Sequence, residues 1–408
     1  MIGGTPVLLF ARLSILLSDG DGLRMAFGWK GAGGLRACLR HCNVLKKGSD
    51  IVDRVPGHCD ITCDDPSVFQ CTTTQQFRDA LDLVAAAHAR LEAGTMTKTL
   101  FGQVSMSQGF NYVPGGLAYD MALRANGVDV FQAIRKDWMH SALQDGMLTV
   151  ECHLYIKACD AACGKGYEDV ERFFRLPWQF PKQHRSKSSQ LWRIFSARRC
   201  NMEGEHEKLR ASASELMGMY KLLRHWAESE IGNREDVVLE RSSFEAACTA
   251  IDIILMAKRR LLPMPEAGEL LKRSLSSFMR RHKVAYGRNY VKPKHHWMFD
   301  IAEQFLIDEH VYDCLIVERL HLTCKEHAQR CLNTSRFERS VLSGVLNTQL
   351  HRLRQLQESC CILDPTTVKL PGFDHADAAD NMDCFGMQIS VGDFVVHNAM
   401  VGKVQTGS

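Results

Sequence analysis

Cysteines at short, regular spacings form the first group of residues that could do chemistry. Three pairs lie four residues apart, a spacing that places two thiols on one face of a helix: Cys38 and Cys42, Cys59 and Cys63, and Cys159 and Cys163. Structural zinc takes four thiolate or imidazole ligands in tetrahedral geometry. The candidate zinc ligands are therefore Cys38, Cys42, Cys59 and Cys63. The alternative is a set of ordinary buried or half-buried thiols, because spacing alone does not show that two pairs converge.

Carboxylates and a histidine form a second group, suited to metal-dependent hydrolysis. The candidate catalytic residues are Asp19, Asp21, Asp137, His140 and Glu318. The first two lie in a glycine-rich turn, the next two form an Asp-x-x-His pattern, and the last opens a segment of mixed charge. Each has a simpler interpretation: an acidic turn former, a side-chain pair on one helix, and a solvated salt-bridge face. Both interpretations stay open.

Basic residues are concentrated in two stretches that contain no acidic residue. Leu270–Phe299 carries eight Lys or Arg, and Pro177–Asn201 interleaves six with aromatic side chains. Cations that replace the counterions of a polyanion gain affinity for DNA. The candidate DNA-binding residues are Arg280, Arg281, Lys283, Lys292, Lys294, Arg198 and Arg199. A solvated basic face above core aromatics is the alternative, and burial beside Trp297 is the alternative to phosphate contact for His295 and His296.

Helices are the main elements expected to position these residues. Apolar side chains recur at helical spacing over residues 72–92, 133–162, 205–283 and 294–358, with a proline break at Pro263 and Pro265. We therefore predict mostly helix between residues 72 and 360. Two short strands are predicted around the turn Val391–Asp393, near the end of the chain.

Length, composition and charge narrow the class of protein. The chain has 408 residues, 45% hydrophobic and 24% charged, as in folded proteins of two or three domains. A net charge of +3 does not by itself indicate a nucleic-acid partner. No signal peptide is recognised, and no run approaches the roughly 20 apolar residues that cross a bilayer. We expect a soluble, intracellular protein without a membrane partner, whose 16 cysteines are thiols or metal ligands.

Three sets of motifs resemble transposases of the CACTA and Plavaka type, and their order spans nearly all of residues 5–350. The first resembles the region around the second carboxylate strand of that family, the second its Asp-x-x-His element, and the third its late Pro-Lys-x-His and Glu-x-x-His block. The matching residues are Leu16–Gly22, Lys30–Leu35 and Cys38–Asn43; Asp137–His140 and Asp145–Gly146; Lys292–His296, Glu318–His321 and Lys325.

The resemblance implies a cut-and-paste DNA transposase with a ribonuclease-H-like core, interrupted by a helical insertion, whose acids hold Mg²⁺ or Mn²⁺. It also implies a first catalytic acid upstream, and none of the eighteen residues before Asp19 is acidic. We therefore expect a transposase-derived DNA-binding protein that is catalytically incomplete, and nuclease-like only if that acid is supplied elsewhere. The alternative is a non-catalytic helical scaffold or protein-interaction protein. A nuclear location and a homo-oligomer are compatible with either.

The expected fold class is α+β, mainly helical. It comprises a partial ribonuclease-H-like core with a cysteine-bearing segment over residues 1–71 and a helical insertion and late helical block over 72–358. An acidic linker over 359–386 and an incomplete, β-barrel-like tail over 387–408 follow.

Overall fold

The structure is a computed structural model that describes residues 15–178, 190–196, 199, 209–314, 324–331 and 334–358, together with short strands between 360 and 403. The chain divides into two compact units, Met1–Cys314 and Leu315–Ser408. The boundary between them falls inside the segment 72–358 that the sequence analysis treated as one region.

Helices dominate the described part of the first unit, which agrees with the predicted mainly helical class. Their bounds are α1 Gly20–Phe27, α2 Ile51–Arg54, α3 Thr74–Glu92, α4 Lys98–Gln108, α5 Met121–Ala125, α6 Val130–Ala133, α7 Met147–Cys163, α8 Tyr167–Phe174, α9 Ala213–Trp226, α10 Val238–Lys258, α11 Met264–Tyr286 and α12 Pro293–Asp308. Among the described residues, no helix combines the length and the apolar character that a membrane crossing requires.

Among the described residues of this unit, four short strands accompany these helices: β1 Leu16–Ser18, β2 Val44–Leu45, β3 Cys59–Asp60 and β4 Ile134–Lys136. β1 pairs with β4 and β2 with β3, and both pairs are parallel. The prediction of one helix over residues 133–162 is wrong at its beginning. All three residues of β4 are buried, so the segment has no solvent-facing side and its side chains show no alternation of buried and exposed positions. A π-helical turn, Met139–Leu143, separates it from α7.

Helix α12 covers the remaining edge of β4. The side chain of Gln304 accepts a hydrogen bond from the Lys136 backbone N–H at 2.7 Å and donates one to its carbonyl at 3.0 Å. Arg135 forms a two-pronged ion pair with Asp308 on the same helix. The contacts with Gln304 satisfy the backbone N–H and carbonyl of Lys136 at this edge of the strand pair.

Two groups of buried side chains hold the first unit together. Near the chain start, Leu23, Phe27 and Trp29 pack with side chains of α3 and α6 and with Trp297 of α12. In the helical part, the ring of Tyr155 on α7 stacks on that of Phe244 on α10, with centroids 4.8 Å apart. Buried aromatic pairs of this kind supply large apolar area. Leu16 of β1 and Ile134 of β4 belong to the same group of side chains as Trp297, so α12 packs around both strands.

The second unit contains helical residues 324–330, α13 Phe337–Glu358 and, among its described residues, seven strands. The strands are β5 Cys360–Leu363, β6 Thr366–Val368, β7 Ala376–Ala378, β8 Asn381–Cys384, β9 Met387–Ser390, β10 Phe394–His397 and β11 Met400–Lys403. Their pairings are all antiparallel, in the orders β5-β8-β9, β6-β7 and β10-β11. Four of the seven fall in the segment expected to be an acidic linker, and β9 and β10 coincide with the two strands predicted for the tail.

Candidate functional site

Two aspartates meet at the carboxyl ends of the paired strands β1 and β4. Ser18 lies opposite Lys136 in the parallel register. Asp19 and Asp137 are the residues that directly follow the two strands. Both aspartates line one pocket, together with Lys136, His140, Lys294 and Trp297, among others. Sequence reasoning named Asp19 and Asp137 separately, and the fold brings them together across more than a hundred residues of chain.

Asp19 begins helix α1 rather than a plain turn. Its Oδ1 accepts a hydrogen bond from Gly22 N at 2.6 Å, so the carboxylate caps the helix. The two glycines of this segment lie in close contact with neighbouring side chains. A Cβ on Gly22 would lie 2.0 Å from Ser18 Oγ, and a Cβ on Gly20 would lie 3.1 Å from the Trp297 ring. The Asp-Gly-Asp-Gly sequence therefore holds one carboxylate at a crowded strand end.

Asp137 is buried, and both of its carboxylate oxygens accept hydrogen bonds. Its Oδ1 accepts hydrogen bonds from Met139 N at 3.1 Å and Cys314 N at 3.2 Å, and its Oδ2 accepts from His140 N at 3.2 Å and contacts His140 Nδ1. Burial raises the pKa of the Cys314 thiol to about 12, and the negative charges of Asp137 and Asp19 add to this effect. The Asp137–His140 pair is present as a hydrogen-bonded contact, and His140 lines the pocket.

Asp21 belongs to a wider, open cleft of about 460 Å³ that adjoins the pocket. Its side chain is 82% exposed and pairs with Arg24 at 3.1 Å. The cleft is also lined by Asp19, Asp145, Lys30 and Lys294. The opening is therefore lined by both acidic and basic groups, and Asp21 faces solvent.

Two predicted site residues, Glu318 and Arg198, lie outside the described residues. The proposed approach of Glu318 to the aspartates stays a prediction, as does the DNA contact of Arg198.

Several predicted DNA-binding residues already have anionic partners within the chain. Arg280 and Lys283 on α11 both pair with Asp64, at 3.1 and 2.7 Å. Arg199 pairs with Glu215 at 3.0 Å, and Arg281 donates to Ser242 Oγ at 2.9 Å. An intramolecular carboxylate offsets part of the positive potential that a phosphate would meet.

Lys292 and Lys294 lie at the start of α12. Lys294 Nζ donates to the Gln144 carbonyl at 2.9 Å while lining the pocket with the aspartates. Of the candidate DNA-binding lysines and arginines in the described residues, it is the one placed at the strand ends.

A separate buried cluster of cysteine, histidine and aspartate side chains could bind a metal ion: Cys38, His41, His296 and Asp300. Burial opposes protonation of His41, but the neighbouring Cys38, Glu303 and Asp300 outweigh it and raise the pKa of this imidazole to about 11. Burial and the charge on His41 lower the pKa of His296 to about 3. Without an ion, a protonated His41 thus lies between two carboxylates.

Of the four cysteines predicted to bind zinc, only Cys38 belongs to this cluster. Cys42 Sγ donates instead to the Gln70 carbonyl at 3.4 Å. Cys59 and Cys63 interact with each other, and the hydrogen bond from Cys59 lowers the pKa of Cys63 to about 7. Among the described residues, the groups suited to an ion include none of Cys42, Cys59 and Cys63.

Sequence reasoning missed His41, His296 and Asp300 as ligand candidates. Their signals were the spacings Cys38-x-x-His41 and His296-x-x-x-Asp300, which are short enough to share one site but lie at distant places in the chain.

Comparisons with known proteins found no match to a protein-family model, a curated protein or a solved structure.

Proposed function

We propose that this chain is a transposase-derived DNA-binding protein whose strand-end pocket descends from a metal-dependent phosphodiester-cleaving site. The observation that carries the proposal is the position of Asp19 and Asp137, each directly after one of two paired parallel strands. A partial ribonuclease-H-like core would place its acids in this way. The motif order stated above supports the same origin.

The residues of the pocket fit a divalent cation only in part. Asp19 uses Oδ1 for its helix cap, and its Oδ2 accepts no hydrogen bond within the described part of the chain, so it can serve as a ligand. Asp137 already receives hydrogen bonds on both oxygens and is better suited to positioning. Mg²⁺ or Mn²⁺, when bound, would polarise a phosphate and activate water. Glu318 is the proposed additional acid.

The proposed DNA contact lies along the cleft beside the pocket. Lys30, Arg24 and Lys294 stand around the opening where a phosphate would approach Asp19. Burial lowers the pKa of Lys30, whose ammonium donates to Asn111 Oδ1 at 2.6 Å. A cation already oriented by a neighbouring side chain loses little freedom when it contacts a phosphate.

Salt dependence of duplex binding tests the DNA proposal. Each phosphate contact that is lost should reduce the log–log slope of affinity against salt by about 0.9. We expect Lys30→Gln with Lys294→Gln to flatten the slope by close to two contacts. The triple variant Arg280→Gln, Arg281→Gln, Lys283→Gln should flatten it less, because Asp64 already pairs with two of the three. An affinity that does not change with salt would remove the DNA role.

A non-catalytic scaffold is the second candidate function. It is favoured by the ion pairs of α11 with Asp64 and by the hydrogen bonds to Asp137, because these contacts within the chain occupy groups that DNA or a metal would need. A nicking assay with Mg²⁺ or Mn²⁺ separates the two: cleavage that Asp19→Asn abolishes supports the nuclease origin with retained activity. Binding without cleavage supports an inactive descendant, and neither binding nor cleavage supports the scaffold.

The remaining features of the proposal follow from the DNA role. A nuclear location and a homo-oligomer that brings two element ends together would accompany it. Any Zn²⁺ would be a structural ion held by thiolate and imidazole side chains, which are the ligands that zinc favours.

A further inference from the structure

A loop near the start of the chain and helix α12 contribute two ligand-type residues each to one buried point. Cys38 and His41 stand three apart in the loop, and His296 and Asp300 stand four apart on the helix. Each of the four residues is at most 4% exposed. One donor atom of each lies within 4.8 Å of all the others, although 255 residues separate His41 from His296.

Four of the six distances between these atoms are close to the edges of a tetrahedron centred on a metal, and the shortest is 0.2 Å below the range of those edges. His41 Nδ1 lies 3.6 Å from Cys38 Sγ, 3.1 Å from His296 Nε2 and 3.3 Å from Asp300 Oδ1. Cys38 Sγ lies 3.4 Å from the same Asp300 oxygen. Tetrahedral ligands at zinc–nitrogen, zinc–oxygen and zinc–sulfur bond lengths are about 3.3 to 3.8 Å apart.

Hydrogen bonds use only part of this arrangement, because His41 Nδ1 can donate to one neighbour only. An imidazole nitrogen carries at most one proton, yet three polar atoms surround His41 Nδ1. One of them is a nitrogen of a second histidine, which is also buried. A single cation at the centre would give every one of these atoms a partner.

The residues around the cluster are those expected around metal ligands. His41 Nε2 lies 3.0 Å from Glu303 Oε1, so its second nitrogen can donate to a carboxylate, as metal-bound histidines commonly do. Lys136 pairs with Asp300 Oδ2 and leaves Oδ1 facing the cluster. The Phe69 ring lies against both imidazoles, with centroids 5.0 and 4.8 Å away, and excludes water.

We propose that Cys38, His41, His296 and Asp300 bind one structural Zn²⁺. One thiolate and one carboxylate balance the charge of a divalent ion, and the two neutral imidazoles complete four-coordination. Sulfur and nitrogen ligands in a tetrahedron select zinc over the hard cations Mg²⁺ and Ca²⁺. All four positions are filled by protein, so the site is closed and not catalytic.

The ion would fix the geometry of the strand-end pocket. Helix α12 supplies two of its ligands and also carries Lys294 and Trp297 into that pocket. Lys136, which pairs with Asp300, directly precedes Asp137. The proposed ion therefore links the loop, α12 and β4 at one place, whether or not the pocket retains activity.

Metal analysis of the full chain tests the proposal. We expect the purified protein to contain one zinc per chain, and Cys38→Ser and His296→Ala to reduce this to near zero. Cys42→Ser is the matched control, because Cys42 lies in the same loop and is not a member of the cluster. It should retain the zinc, as should the double variant Cys59→Ser, Cys63→Ser.

Cobalt substitution keeps the test decisive if a variant fails to fold. In the unaltered protein, Co²⁺ should show the strong visible bands of a tetrahedral site and a thiolate charge-transfer band of the intensity expected for one sulfur. A protein with neither zinc nor a cobalt spectrum would overturn the proposal. So would a charge-transfer band of three or four thiolates, or zinc that is lost from the Cys59 and Cys63 variant and kept by Cys38→Ser.

Discussion

Helix α12 contributes residues to both the strand-end pocket and the buried cluster, but the carboxylates in the two regions differ in solvent exposure. In the cluster, Asp300 is 2% exposed and its partners surround it on all sides. In the cleft beside the pocket, Asp21 is largely exposed, and Asp19, which lines both the pocket and the cleft, is half-buried. The side chains of the cluster fix one another's positions, whereas the cleft of about 460 Å³ beside the pocket is open to a ligand. Substitutions in the two places should therefore differ in whether stability or binding changes.

The largest effect is expected for Asp300→Ala. The change leaves the buried ammonium of Lys136 without its carboxylate and removes a member of the cluster, so we expect a loss of about 3–5 kcal/mol in the free energy of unfolding. Asp21→Ala removes only an exposed ion pair and should change stability by about 0–1 kcal/mol. Denaturant unfolding of both variants measures the contrast. Equal losses would show that the two regions do not differ in this way.

A smaller effect is expected at Asp19, because its structural role is a helix cap. Asp19→Ala should cost about 1 kcal/mol, whereas Asp19→Asn should be nearly neutral, since asparagine caps helices as well as aspartate does. Denaturant unfolding again provides the measurement. A large loss for Asp19→Asn would mean that the negative charge itself stabilises the fold, and the pocket would then resemble the cluster.

The smallest effect concerns thiol reactivity rather than stability. The hydrogen bond from Cys59 lowers the pKa of Cys63 to about 7, so Cys63 should alkylate with a midpoint near that pH. Cys59→Ala should move the midpoint to higher pH, because the thiolate loses its donor. Mass spectrometry of the modified residue follows the reaction. Complete protection of both thiols would contradict this expectation and would favour a metal at the predicted four-cysteine site.

The helical part of the fold could be predicted well from periodicity. α3 and α11, for example, lie where one apolar face repeats at helical spacing, and the structure has them at Thr74–Glu92 and Met264–Tyr286. β4 could not be predicted in this way, because a strand buried on both faces carries no alternation.

The candidate site shows the same division between local and distant signals. The hydrogen-bonded Asp137–His140 pair was visible because its residues are neighbours in sequence. Asp19 lies near Asp137 because β1 pairs with β4, and His41 lies near His296 because α12 packs against the loop that carries His41. A short spacing indicates that two residues can share a site, but the fold determines which of these residue pairs come together.

Calorimetric titration with Mn²⁺ tests the central claim, that Asp19 is a metal-binding acid of a former catalytic pocket, most directly. We predict that the unaltered protein binds Mn²⁺, and that Asp19→Asn, which keeps the helix cap, weakens this binding by at least about tenfold, or 1.4 kcal/mol. Glu318→Gln should weaken it as well if Glu318 is the additional acid, and Asp53→Asn, on an exposed position of α2, should not. Identical titrations for the unaltered protein and Asp19→Asn would contradict the account, and Asp19 would then be only a helix cap.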